Sequence, residues 1–545
     1  MKDFKLVSDP LYERNTDIDS VRGFLEHSFR LYGDKKFCKY TVNNELRTKT
    51  YHELEMNVKR FGTYLDSKVS GTRHIALIGK TDFEWISAYF AMLYYNIVFI
   101  PLDRLLSREE LLKQVDFADA EMLIYGDGYK DIARFISENS TVCGKYMALE
   151  GLCELTASMS DEDIKAPSTR PATNDMIELI YTSGTTDIGK AVMLSHNNVL
   201  KTLLYGIRLV DARPEETVLS LMPNNHTYEL NIGLLMPVYF GMTVAIYDNI
   251  KKRMKKNLSL FKPVTMLVVP MLLQALRKEI LVKIRRQNKQ KEFARAVALN
   301  KKLSSLGINA APRLFKEIYD SLGGNIRYLI CGGAFLSMDI IKFYDDIGIK
   351  ILEGYGMTEC APIVSCNSTK YVKAGSLGKV GPYCEVRIVD GEICVRGENV
   401  MLGYYKNPKL TSEVLRDGWL ATGDIGYVDG NNFVYLTGRK KNLIILNNGE
   451  NVNPETLENL MSDIELFHTV VVYGENDLIC VEIYPNLAFA ESNGITDIKA
   501  KAEEYIRTIN EGLPMYSQIR SVRIREKPFE VTTTMKVKRF SLNHS

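Results

Sequence analysis

The stretch Ile180 to His196, IYTSGTTDIGKAVMLSH, decides how the rest of the chain reads. The β-branched and aromatic run IELIY that leads into it has the composition of a strand, and it gives way to small hydroxylated residues, glycine and a single lysine. Hydroxyls and backbone N–H groups on such a loop can cradle phosphate oxygens, and Lys190 adds a point charge. The spacing does not fit the nucleotide loop GxxxxGK[ST], which argues against ordinary P-loop kinases and ATPases. Taken alone, a Ser/Thr/Gly stretch is equally the composition of a surface turn.

Outward from that loop, runs such as HIALIG, MLIYG, VLSLMP, TVAIYD, MLVVPM and IRYLICGG alternate with helix-length amphipathic segments. That rhythm predicts an α/β fold with largely parallel sheets, whose ligands sit at loops beyond the strand ends. Around Val386 to Arg396 the texture becomes EVRIVDGEICVRG, with a hairpin signal at Asp390-Gly391. After Asn432, FVYLTGRKKNLIILNNGENVNPETLENLM reads as a hairpin-like pair leading into a helix, with Asn453 and Pro454 as cap and first turn. The last hundred residues then form a small α+β domain.

At 545 residues, 46% hydrophobic and 25% charged, the chain is too long for one core and too ordinary for a fibrous or disordered protein. Nine cysteines without a CxxC pair predict buried thiols in a reducing compartment rather than a disulfide framework or zinc site. The charged N-terminus lacks a signal-peptide core, and the longest apolar run, Ala88 to Leu102, falls short of the ~20 residues that span a bilayer. A cytoplasmic protein is expected. The net charge of +2 hides an asymmetry: Lys251 to Lys302 carries sixteen Lys and Arg against Glu279 and Glu292. Within it Leu272, Leu276, Ile280 and Ile284 recur every fourth position, which predicts a basic amphipathic helix able to rest on anionic lipid. A solvated helix face, CoA phosphates or an acidic carrier protein are the other counterparts of that charge.

The phosphate loop is followed, in order, by EGYGMTECAP (Glu353 to Pro362), GWLATGDIG (Gly418 to Gly426), LTGRKKNLI (Leu436 to Ile444) and TTTMKVKRF (Thr532 to Phe540). Together these blocks resemble the acyl-adenylate-forming superfamily, which includes acyl-CoA synthetases, aryl-CoA ligases, peptide-synthetase adenylation domains and luciferases. GRKKNLIILNNGENVNPE, NNHTYEL and the lead-in to ICGGAFLS look most like long-chain fatty acyl-CoA synthetases. The resemblance implies an N-terminal body, residues 1–437, of two α/β subdomains and a β-rich subdomain. A small mobile α+β domain, residues 438–545, would turn about a hinge near Lys441.

It also implies a reaction in two halves. A carboxylate attacks the α-phosphate of ATP to give acyl-AMP and pyrophosphate, and a thiol, of CoA or of the phosphopantetheine on an acyl carrier protein, then displaces AMP. Carried over by motif, Thr182, Ser183, Gly184, Thr185, Thr186 and Lys190 would hold the β- and γ-phosphates. Tyr355, with Gly356 beside it, would stack on adenine; Thr358 would bond the α-phosphate and Glu359 would position Mg²⁺. Asp424 would accept the ribose hydroxyls with Arg439 in support, while Gly332, Gly333 and Ala334 let the backbone approach adenine and substrate. Lys536 matches the adenylation lysine, with Lys538 its nearest competitor.

His226 falls at the aromatic gate of the acyl channel, followed by Tyr228, with Gly233 and Gly241 leaving room for a chain. Gly449, Glu450 and Asn451 would face the pantetheine arm, although Asn448-Gly449 is also a hairpin-turn signal. One departure stands out: Asp187, Gly189 and Ala191 occupy positions where the family usually has Gly, Pro and Gly. An aryl or other acid as substrate, a carrier protein as acceptor, and a non-catalytic acyl or nucleotide sensor remain open alternatives.

Overall fold

Strands form where the β-branched runs lie, and they gather into parallel sheets because helix-length crossovers join them. The computed structural model describes residues 11–42, 45–182, 189–247, 254–333, 336–447 and 450–530, with Val537 and Arg539. The chain forms two compact units, one of residues 1–334, 338–386 and 395–420, the other of 335–337, 387–394 and 421–545.

In the first unit, one sheet orders Lys350–Tyr355, Tyr328–Cys331, Thr265–Val268, Thr217–Ser220, Thr243–Ile246 and Lys36–Val42, all parallel. Short antiparallel strands, Ser365–Cys366 and Glu45–Thr50, flank that parallel core. A second sheet is parallel from Lys145–Ala148 through Met122–Tyr125, His74–Ile78 and Val98–Pro101 to Met176–Thr182. Its far side is antiparallel: Lys190–Ser195 folds back on Met176–Thr182, and Gly403–Tyr404 joins Lys190–Ser195. Thr182 and Lys190, which bracket the expected phosphate loop, are thus paired on antiparallel strands, where the sequence suggested only a strand running into a loop.

The apolar run that fell short of a membrane span is divided between the end of the helix Phe83–Tyr94, capped by Asp82 and buried along nearly its whole length, and the buried strand Val98–Pro101. Among the described residues, no helix is long and apolar enough to cross a membrane. Among the described residues the basic stretch runs through the helix Met254–Phe261 and the strand Thr265–Val268 into the helices Pro270–Arg286 and Gln290–Ser305. Of the predicted apolar stripe only Ile280 is fully buried, while Leu272, Leu276 and Ile284 are half-buried. All nine cysteines are free, seven buried and two half-buried.

The second unit carries the predicted turn at Asp390-Gly391, both residues with positive φ as a two-residue hairpin requires. Its last portion packs Phe467–Glu475, Leu478–Pro485 and Ile519–Ile524 into a sheet against the helices Pro454–Leu460 and Ile498–Glu511. Asn453 caps the first of these helices by accepting from the Glu455 N–H, with Pro454 in its first turn, as the sequence predicts.

Candidate functional site

Thr182 and Lys190 face each other as the last described pair of the hairpin, and Thr182 Oγ1 approaches the Lys190 carbonyl at 3.5 Å. Ser183, Gly184, Thr185, Thr186 and Asp187, expected at its tip, lie outside the described residues. Gly189 closes the tip with φ +80°, and a Cβ there would stand 2.6 Å from the Thr182 carbonyl oxygen. Both features demand glycine, so this position serves the hairpin's closure.

Lys190 extends its ammonium over the ring of Tyr404, 5.1 Å from the centroid. The Tyr404 hydroxyl donates to Glu359 Oε1 at 2.8 Å. One buried phenol therefore joins the lysine of the phosphate hairpin to the carboxylate expected to hold a metal. Glu359 is only 7% exposed and sits in the turn Thr358–Cys360, with Thr358 half-buried beside it. Gly356 allows the approach to that turn, since a Cβ would lie 1.7 Å from the Pro362 carbonyl oxygen. Tyr355 is buried at the end of its strand, paired with Ser365. The described residues contain no cluster of three His, Cys, Asp or Glu that could hold a metal. A lone carboxylate beside a phosphate-type hairpin suits Mg²⁺, which is usually held by one or two carboxylates plus phosphate oxygens and water.

Gly332 and Gly333 follow the strand Tyr328–Cys331, and Ala334 lies outside the described residues. Tyr228 donates to the Ile330 carbonyl at 2.8 Å, and a Cβ on Gly332 would stand 3.5 Å from the Tyr228 ring. Tyr228 opens a π-helical stretch, Tyr228–Leu235, whose first bonds run to the carbonyl of half-buried His226. A Cβ on Gly233 would meet the Glu229 carboxyl at 2.8 Å, so the glycine makes space for that buried acid. Gly241 is a turn residue with φ +65°, packed against the Tyr32 ring.

The sequence reading gave no role to three acids that the structure buries. Ser220 donates to Glu229, and burial pushes that carboxyl up to about 8. Glu178, on the hairpin strand itself, accepts from Tyr89 at 2.8 Å and Asn231 at 3.4 Å, and burial pushes it up to about 7. Glu353 pairs in register with Cys331, has no hydrogen-bond partner for Oε2 among the described residues, and is pushed up to about 8 by desolvation. It is therefore largely neutral at pH 7, able to donate or accept. The only signal in the sequence is an acid interrupting an otherwise apolar strand, in IELIY and ILEGY.

In the second unit, Asp424 and Arg439 are register partners on neighbouring strands, with Nε of the arginine 2.8 Å from the carboxylate. The aspartate side chain is 2% exposed and the arginine 40%. Thr422 shapes this corner by donating to the Ile393 carbonyl and accepting from the Asp424 N–H. Lys441 lies exposed in the turn Lys440–Asn442, just after Arg439. Glu450 and Asn451 are exposed at a hairpin whose strands are Ile444–Ile445 and Asn451–Val452, while Gly449 lies outside the described residues. So do Lys536 and Lys538. Nearby Arg539 is committed to structure: it pairs with Glu458 at 2.5 Å and donates to the Val472 carbonyl.

Residues 25–405 match the AMP-binding enzyme family, and residues 441–543 match the AMP-binding enzyme C-terminal domain. The chain is 28% identical over 525 residues to the peroxisomal long chain acyl-CoA synthetase 6 of Arabidopsis thaliana, covering 87% of this chain and 74% of that one. It is 26% identical over 556 residues to long-chain-fatty-acid–CoA ligase 1 of Homo sapiens, covering 88% and 78%. Its fold resembles that of an anthranilate CoA ligase solved with anthranoyl-AMP, with a TM-score of 0.78 at 18% identity over 99% of this chain and 98% of the other.

Proposed function

This chain belongs to the AMP-binding enzyme family, and we propose that it is an acid–thiol ligase that converts a medium- or long-chain fatty acid to its acyl-CoA through an acyl-AMP. The observation that carries the reading is the link from Lys190 through Tyr404 to Glu359. It couples a cation at a phosphate-type hairpin to a buried carboxylate that has no cation within salt-bridge distance among the described residues. Attack of an anion on a polyanion calls for positive charge and alignment more than for a general base.

In the first half-reaction a carboxylate oxygen bonds to the α-phosphorus of ATP as the bond to the pyrophosphate oxygen breaks. Thr182, residues 183–186 and Lys190 would hold the β- and γ-phosphates, and Thr358 the α-phosphate. Glu359 would hold Mg²⁺, which when bound neutralises phosphate charge. Tyr355, Gly332 and Gly333 would line the adenine, Asp424 and Arg439 the ribose, and Lys536 would bridge substrate carboxylate and phosphate. In the second half, a thiolate bonds to the acyl carbon and AMP leaves with the electron pair. The division at residue 437, the hinge at Lys441, and Glu450 and Asn451 along the pantetheine arm complete this scheme.

Fatty acid is favoured over aryl acid because the curated relatives are named for long-chain acids. The basic helices add a place to collect it. On Gln290–Ser305 and the loop after it, Lys291, Arg295 and Lys302 are exposed and interleave with Leu299, 45% exposed, Leu306, 68%, and Ile308, 50%. None of the three cations has an ion-pair partner among the described residues, and this mixed stripe suits an anionic lipid surface. Flotation with anionic and neutral vesicles at low salt tests that part, and equal flotation with both, or with neither, rejects it.

The test of the whole is acid-dependent pyrophosphate release over a panel of fatty and aryl acids, followed by CoA or acyl carrier protein as acceptor. Release with fatty acids and a CoA thioester product is expected. Thioester formation on the carrier protein alone would move the acceptor, and no release with any acid would favour a sensor.

A further inference from the structure

Tyr404 was not among the residues that the sequence motifs single out, yet five contacts place it between two that were. Its backbone pairs with Val192, two residues beyond Lys190. The flanking Leu402 N–H donates to the Met193 carbonyl at 3.0 Å and the Tyr405 N–H to the Ala191 carbonyl at 2.8 Å, so residues 402–405 are zipped along the hairpin strand. On the other side, the Met401 N–H donates to the Glu359 carbonyl at 2.9 Å, and the Tyr404 hydroxyl reaches the Glu359 carboxylate. The segment is anchored beyond the site as well, where Tyr405 donates to Asp119 at 2.7 Å and Lys406 pairs with the same acid.

We propose that Tyr404 is a positioning residue for adenylation, a rigid spacer that fixes the distance between the hairpin cation Lys190 and the metal-holding carboxylate of Glu359. The phenol suits that work because it does two things at once without bringing charge. Its π face attracts the lysine ammonium, and its hydroxyl restrains one carboxylate oxygen, leaving the other lone pairs for a cation. A lysine or arginine in its place would neutralise Glu359 and compete with a divalent ion. A phenylalanine would keep the spacing to Lys190 but free the carboxylate to rotate.

The proposal rests on the ligase reading for its chemistry, and its test separates the two. Tyr404→Phe should leave the KM for the acid unchanged and lower the unfolding midpoint by no more than the loss of one buried hydrogen bond, with the fold intact. Loss of a hydrogen bond to a charged group predicts a fall of roughly 10-fold or more in kcat for acid-dependent pyrophosphate release, with several-fold more Mg²⁺ needed for half-maximal rate. Calorimetric binding of ATP, which needs no turnover, should weaken several-fold with Mg²⁺ present and stay unchanged without it. Tyr404→Leu, lacking the ring as well, should weaken ATP binding further even without Mg²⁺. Tyr405→Phe, which breaks only the bond to Asp119, is the control on the same strand and should match the wild type in Mg²⁺ dependence. A Tyr404→Phe protein with wild-type Mg²⁺ dependence in both assays overturns the proposal, as does an equal loss of ATP affinity with and without the ion. If the wild type shows no acid-dependent pyrophosphate release, the ligase reading falls while the calorimetry still decides the role of Tyr404.

Discussion

Glu359 in the first unit and Asp424 in the second are both buried carboxylates, each with a nucleotide-binding role in the proposed scheme, and the protein equips them differently. Asp424 has its own cation, Arg439, at 2.8 Å on the neighbouring strand. Glu359 has a neutral phenol instead. The proposed roles account for the difference. Ribose hydroxyls are neutral donors, and a carboxylate already paired with a guanidinium keeps lone pairs for them. A divalent ion is bound by charge, and a carboxylate neutralised by an internal arginine would hold it weakly. Glu353 extends the series to a carboxyl with no hydrogen-bond partner on Oε2 among the described residues, where burial pushes the acid up to about 8.

Substitutions break this comparison in a graded way. Glu359→Gln keeps an acceptor for Tyr404 while removing the charge, and acid-dependent pyrophosphate release should fall by about 10³-fold, with added Mg²⁺ failing to restore it. Lys441→Pro probes the backbone two residues beyond Arg439. Single-turnover measurements should show thioester formation slowed by roughly 10²-fold and acyl-AMP formation nearly intact, because in the proposed scheme only the second step needs a turn of the C-terminal domain. Equal loss in both half-reactions would remove the hinge from the scheme. Asp424→Asn should act on binding, raising the KM for ATP by about 10-fold with kcat little changed; a kcat effect as large as that of Glu359→Gln would erase the distinction between the two carboxylates.

The smallest effect concerns Glu353. Its folded pKa is raised from 4.5 to about 8, so the folded protein stays protonated where the unfolded chain ionises. Stability from this group is full below about pH 4.5 and is lost as pH rises to about 8. Glu353→Gln should therefore lift the unfolding midpoint by roughly 1–2 °C at pH 8 and leave it unchanged at pH 4.5.

Much of this was legible in the chain because it is local. Alternating runs specify strands, Asp390-Gly391 specifies its turn, and Asn453-Pro454 its helix start. The ordered motifs brought Lys190, Glu359, Asp424 and Arg439 to notice. What stayed hidden depends on pairings between distant segments. Tyr404 lies 45 residues from Glu359 in sequence, and nothing in GYYKNP says that its strand will zip onto the hairpin. That Gly233 makes space for the Glu229 carboxyl, one π-helical turn away, is likewise invisible in the sequence.

The cysteines have a practical consequence. Burial raises the thiol pKa at Cys38, Cys143, Cys153, Cys331, Cys366, Cys384, Cys394 and Cys480, so few of these sulfurs exist as thiolate near neutrality. A colorimetric disulfide reagent added to the folded enzyme then reports the thiol of the acceptor substrate against a quiet protein background. Thioester formation can be followed continuously as that signal disappears, and a burst of protein thiols becomes a sensitive marker of unfolding in any variant.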